Sequence, residues 1–264
     1  MIDRISKLAV VTGGKGFANN LAAKLQETVP DVEEYAWVKK HGRKLPYLDP
    51  LKLENSAKVL KENGVSHVIH AGSADILSIM VDQPFEVPTA LNYYNNKKQY
   101  LTDYYKHLTD NGVTPISIGE LSDEFTIGKG EITNFPISIL ERNLADTLGL
   151  AKNWLENNFH KNLPQSVVFD GANFVRMEEN GTRSLLKKVS KTEKENGITR
   201  YLVKCAPEIS LAKIDPPTIG SNTIDEAKKA KVDVILFDAE NGVITDKEHM
   251  LECANQAGIV IYGV

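Results

Sequence analysis

Cysteine is nearly absent from this chain: Cys205 and Cys253 are the two it has. They are too few and too widely spaced for a disulfide framework or a zinc knuckle, and they suit a reducing compartment. Long apolar runs are missing too. No stretch of about eighteen apolar residues occurs, so no membrane-spanning helix is expected. The early run Leu8-Ala9-Val10-Val11 is too short for a signal peptide, and a cytoplasmic protein is expected. There is also no block of basic residues: 31 Lys and Arg stand against 35 Asp and Glu, a net charge of −4. Binding to nucleic acid is therefore not expected.

What is present is an alternation of strand and helix signals over 264 residues, long enough for two domains. Residues 8–12 read as a buried strand that runs through Gly13-Gly14-Lys15-Gly16-Phe17 into a helix. The turn carries half of a dinucleotide fingerprint. Asn19 stands where the third glycine belongs, and no Ser or Thr follows Lys15 as a phosphate-binding P-loop needs. It reads either as a backbone cradle for a ligand or as a tight turn.

Residues 34–38 are expected to form a second strand. Leu53, Ala57 and Leu60 share a helical face closed by Asn63-Gly64, and residues 66–70 form a strand ending at Ala71-Gly72. The unit recurs with Tyr100, Leu101, Tyr104 and Leu108, the closure Asn111-Gly112, and a strand over 114–118 before Gly119-Glu120. Such alternation predicts an α/β fold, here a Rossmann-like, mostly parallel sheet. Ligands of open parallel sheets bind at the carboxyl ends of the strands, which marks Gly13, Gly14 and Gly72 as binding candidates. His67 and His70 are three apart on a predicted strand, face opposite ways, and make poor metal partners.

The polar interval 123–135 is the expected boundary, giving an N-terminal domain 1–135 and a C-terminal α/β domain 136–264. Ser138 and Glu141 form a capping box before a long amphipathic helix through Leu144, Leu148, Ala151 and Leu155. Residues 167–169 and 173–176 read as a hairpin turning at Asp170-Gly171, followed by a short helix lined by Leu185, Leu186 and Val189. Later elements are a helix over 222–230, a strand over 232–237 and a short strand over 243–245. A helix with Thr245 and Glu248 as capping box follows, ended by Gly258, and then a last strand over 259–262.

Between the strand at 201–203 and the helix opening at Ser221 or Asn222 lies a connection, 204–223, too long for a plain loop. Its two prolines and Gly220 stiffen the part that carries Asp215. It reads as a phosphate or metal-phosphate corner, or as a rigid turn in which Asp215 caps a backbone amide.

These residues carry a resemblance. Tyr201-Leu202-Val203-Lys204, Asp215 with Pro217-Thr218-Ile219-Gly220 and Thr223, and the ending Ala257-Gly258-Ile259-Val260-Ile261-Tyr262-Gly263-Val264 resemble the LpxI-type UDP-2,3-diacylglucosamine pyrophosphatases of lipid A biosynthesis. Gly13-Gly14 and Gln165-Ser166-Val167-Val168 with Asp170-Gly171 extend the likeness upstream. The resemblance implies an enzyme that clasps its substrate between two domains and, with Mg²⁺ or Mn²⁺, cleaves the pyrophosphate to UMP and 2,3-diacylglucosamine 1-phosphate. It implies Asp215 as the catalytic and metal-binding carboxylate, Lys204 as a phosphate partner, and Thr218, Gly220, Thr223 and Thr182 as phosphate-binding groups. Cytoplasmic location is implied, with peripheral contact at the inner membrane and homo-oligomerisation left open.

The chain also departs from the family. Pro207-Glu208-Ile209-Ser210-Leu211 replaces a Lys-Pro-Gly-Gln-Asp run, and Asn180-Gly181-Thr182-Arg183 replaces Glu-Gly-Thr-Asp, with Glu178 and Glu179 as substitute metal ligands. The alternatives are a nucleotide-sugar or lipid-binding relative without turnover and, more distantly, a nucleotide-dependent oxidoreductase.

Overall fold

The computed structural model describes residues 4–12, 17–36, 46, 48–49, 52–71, 96–131, 133, 141–157, 164–206 and 208–264. Gly13, Gly14, Gly72, Ser138 and Pro207 lie outside them. The chain divides into two compact units, 1–122 with 210–216, and 123–209 with 217–264.

In the first unit, strands β1 (Leu8–Thr12), β2 (Val32–Ala36), β3 (His67–Ala71) and β4 (Thr114–Pro115) form a parallel sheet of order β2-β1-β3-β4. Helices α1 (Phe17–Leu25), α2 (Leu53–Glu62) and α3 (Lys97–Asp110) alternate with the strands, as parallel pairing requires. The central strand is wholly apolar before Thr12, and Leu8, Ala9, Val10 and Val11 are all buried. That is the pattern of a strand covered on both faces. The order reverses between β1 and β3, the flavodoxin-type switch point, and it is not the 3-2-1-4 order of dinucleotide-binding halves. Strand β4 is shorter than expected. After Ile116, the Ser117 amide and hydroxyl both bond Glu120 Oε1, at 2.9 and 3.1 Å, and wind residues 118–120 into a 3₁₀ turn instead.

The second unit is built on a six-stranded mixed sheet of order β5-β12-β10-β8-β6-β7. Its strands are β5 (Gly130–Glu131), β6 (Ser166–Asp170), β7 (Asn173–Met177), β8 (Arg200–Lys204), β10 (Val234–Phe237) and β12 (Val260–Gly263). Strands β8, β10 and β12 are parallel, while β6 joins β8 antiparallel through the Asp170-Gly171 hairpin with β7. Alternation along the strands sends side chains to two cores. Val168, Leu202, Ile235 and Ile261 pack with α5 (Thr182–Val189), α7 (Ser221–Lys229) and α8 (Lys247–Ala257). Val167, Phe169, Tyr201, Val203, Val234 and Leu236 pack with α4 (Glu141–Asn157). A buried Arg200 closes one end of the sheet. Its Nε and Nη2 donate to the two Asp170 oxygens at 2.6 and 2.7 Å, and Nη1 donates to the Ala230 carbonyl at 2.9 Å.

Several expectations shift on inspection. The division falls after Ser122 rather than after residue 135. The polar interval carries buried Phe125 and Ile127, and its strand β5 pairs with β12, so it belongs to the second unit's core. The long connection is not a loop throughout: it holds a short helix α6 (Ile209–Ala212) and a strand β9 (Thr218–Gly220), which pairs parallel with β11 (Val243–Thr245). Finally, Asp246 is the residue that caps α8, without a side-chain hydrogen bond. The Thr245 hydroxyl instead donates to the Ile219 carbonyl at 3.4 Å, because strand pairing has drawn it away from the helix.

Candidate functional site

In the second unit the polar groups gather at one edge of the sheet. Lys204 ends β8, opposite Ser166, which opens antiparallel β6, and beside Phe237, after which Asp238 follows β10. The carboxyl ends of parallel strands therefore share an edge with the start of their antiparallel neighbour. Thr182 reaches the same edge as the first residue of α5. Gly181, at φ +82°, makes the sharp entry, a backbone conformation that suits glycine.

Lys204 is 4% exposed, and its ammonium donates to Thr182 Oγ1 at 2.7 Å, Ser166 Oγ at 3.3 Å and Gln165 Oε1 at 3.5 Å. The Ser166 and Thr182 hydroxyls share a hydrogen bond of 2.9 Å, and Thr182 donates to Glu178 Oε2 at 3.2 Å. A buried cation is thus held by hydroxyl and amide oxygens, with a carboxylate one bond further out. Burying an ammonium is costly unless its donors are satisfied. Asp238 turns the next strand end: its Oδ1 accepts from the amides of Glu240 and Asn241, and its Oδ2 from Ala206 N at 3.0 Å.

Glu179 faces elsewhere. Its carboxylate accepts from Lys188 Nζ at 2.6 Å and lies 3.8 Å from Arg176, and the Lys188 bond first of all holds its pKa below the usual carboxylate range. The predicted phosphate-binding residues Thr218 and Gly220 lie in strand β9, and Thr223 lies in the first turn of α7. Backbone at 218–220 pairs with 243–245, and the Gly220 amide donates to Thr223 Oγ1 at 3.4 Å, so Thr223 serves the helix start. Gly220 is required there by close approach, since an added Cβ would stand 2.1 Å from Thr245 Oγ1.

Asp215 belongs to the first unit with the rest of segment 210–216. It follows α6, its amide donating to the Leu211 carbonyl at 2.9 Å. Lys97 Nζ, from the first turn of α3, donates to Asp215 Oδ2 at 2.6 Å. Lys213 pairs with Glu120 at 3.0 Å, and the Lys213 backbone and the Asp215 charge lie close enough to His70 to act on its pKa. His70 is the penultimate residue of β3, 1% exposed, with Tyr104 Oη 3.4 Å from its Nε2. Burial pushes its pKa down to about 4, so it is neutral at neutral pH. The segment carrying Asp215 is therefore seated at the carboxyl end of β3, where a ligand of this sheet type is expected.

Leu211, which stands where the family carries Asp, is buried. Among the described residues no group of three or more His, Cys, Asp and Glu gathers to hold a metal ion. Asp215 lies in one unit, and Glu178, Glu179, Thr182, Thr218, Gly220, Thr223 and Lys204 lie in the other. Lys97, Asp238 and the roles of Gln165 and Ser166 were missed from sequence. Asp238 alone gave a usable signal, as an acid directly after an apolar strand.

Both units are α/β modules built on open sheets. Residues 141–262, which take in most of the second unit and segment 210–216 of the first, match the family model of the LpxI C-terminal domain. No curated protein matches the chain significantly.

Proposed function

We propose that this protein hydrolyses the pyrophosphate of UDP-2,3-diacylglucosamine, giving UMP and 2,3-diacylglucosamine 1-phosphate for lipid A biosynthesis. The observation that carries the reading is Lys204, a buried ammonium held by oxygen ligands at a strand end inside the LpxI-like stretch. Such a cation neutralises phosphate charge, the main requirement of phosphoryl transfer. Water adds to one phosphorus as the bridging P–O bond breaks, and the leaving phosphate takes the electron pair.

Mg²⁺ or Mn²⁺ fits as a cation that arrives with the substrate's phosphates and takes one or two protein carboxylates, since Mg²⁺ seldom occupies an all-protein cage. Asp215 is the candidate carboxylate, whereas Glu179 is committed to Lys188. When bound, the metal would supply further charge neutralisation at the reacting phosphate. The acyl chains of such a substrate bring the enzyme to a membrane surface, and no described helix is long and apolar enough to cross one.

Binding without turnover is the second reading, favoured by the burial of Leu211, which leaves that position without a carboxylate. The test is incubation with UDP-2,3-diacylglucosamine and Mg²⁺. UMP release supports the hydrolase, and tight nucleotide-lipid binding with no UMP supports the binding protein.

A further inference from the structure

Segment 210–216 comes from the stretch of chain between β8 and β9, both of the second unit, yet it packs as part of the first. Side-chain bonds hold it there: Lys213 to Glu120 at 3.0 Å and Asp215 to Lys97 at 2.6 Å. Leu211, Ala212 and Ile214 are buried beneath. The hydrophobic contacts and the Lys213–Glu120 pair suffice to seat the backbone. The Lys97 bond differs because it falls on the carboxylate itself.

We infer that Lys97 is a positioning residue for Asp215, a role that rests on the hydrolase reading of Asp215. An aspartate next to two prolines has a restrained backbone but free side-chain torsions. A charge-assisted bond from a side chain in the first turn of α3 restricts those torsions and orients the carboxylate. Both side chains are about one-fifth exposed (23% and 18%), so the pair is partly shielded from solvent yet reachable by a ligand.

The test compares Lys97→Met, Lys97→Arg and Glu120→Gln in steady-state release of UMP, with amide hydrogen exchange on each. Lys97→Met should lower kcat by about a hundredfold with KM little changed, the usual cost of a misplaced catalytic group. Lys97→Arg, which keeps a donor of the same charge, should recover most of the loss. A rise in KM at constant kcat would make Lys97 a substrate contact and overturn the inference. An equal kcat loss in Glu120→Gln would also overturn it, by showing that any tether of the segment suffices. Absence of UMP from the unmodified protein would instead refute the hydrolase reading. Exchange checks the backbone: the Asp215 amide should keep its protection in Lys97→Met, and faster exchange there would make Lys97 a tether of the segment and overturn the inference.

Discussion

The ammonium of Lys204 donates to the hydroxyl of Thr182 across 2.7 Å, so the end of a core strand is bonded directly to the first turn of a helix that begins after a hairpin. The same hydroxyl passes a hydrogen bond to Glu178.

Replacing Lys204 by Met should therefore separate function from stability. The Ser166 and Thr182 hydroxyls still bond each other, so unfolding free energy should change by no more than about 2 kcal/mol. Loss of the cation should lower kcat/KM by roughly a hundredfold or more. Urea unfolding and UMP release, measured side by side, check both halves. A collapse in stability would assign Lys204 to the scaffold.

Asp215→Asn keeps the shape of the side chain and an acceptor for Lys97 while removing the negative charge. The fold should persist, and turnover should fall by several orders of magnitude, about 10²–10³ or more, as electrostatic groups at phosphoryl centres do. Near-normal UMP release from this variant would remove Asp215 from the mechanism.

Gly220→Ala should be destabilising by about 1–3 kcal/mol, because the new methyl would stand 2.1 Å from Thr245 Oγ1. Thr245→Ala removes that oxygen, so the double variant should cost less than the sum of the two single changes. Strict additivity in chemical denaturation would rule out the clash as the cause.

His70 gives a pH dependence. Its folded pKa of about 4 lies below the ordinary value of 6.5, so the unfolded chain binds the extra proton first. The stabilising preference for neutral His70 is complete above pH 6.5 and is lost as pH falls from there to about 4, an effect of order 3 kcal/mol. Burial is the main cause, opposed by the Lys213 backbone and the charge of Asp215. Stability curves of the unmodified protein and His70→Gln at pH 7, 5.5 and 4.5 should diverge. Parallel curves would show that another group governs acid sensitivity.

Local chemistry alone determined the alternation of strands and helices. The apolar run of β1, the Asp170-Gly171 hairpin, the stripe of Leu185, Leu186 and Val189 and the left-handed Gly258 that ends α8 each follow from backbone preference and side-chain periodicity. These signals extend over a few residues and need no distant partner. Tertiary structure decided where the chain changes allegiance. Nothing local marks residues 210–216 as part of the first unit, since that depends on Leu211 and Ile214 finding a core and on Lys97, 118 positions away, finding Asp215. The same holds for the buried Lys204. At the end of an apolar strand it resembles a surface lysine, and only the antiparallel return of β6 and the start of α5 bring it the oxygens that make its burial tolerable.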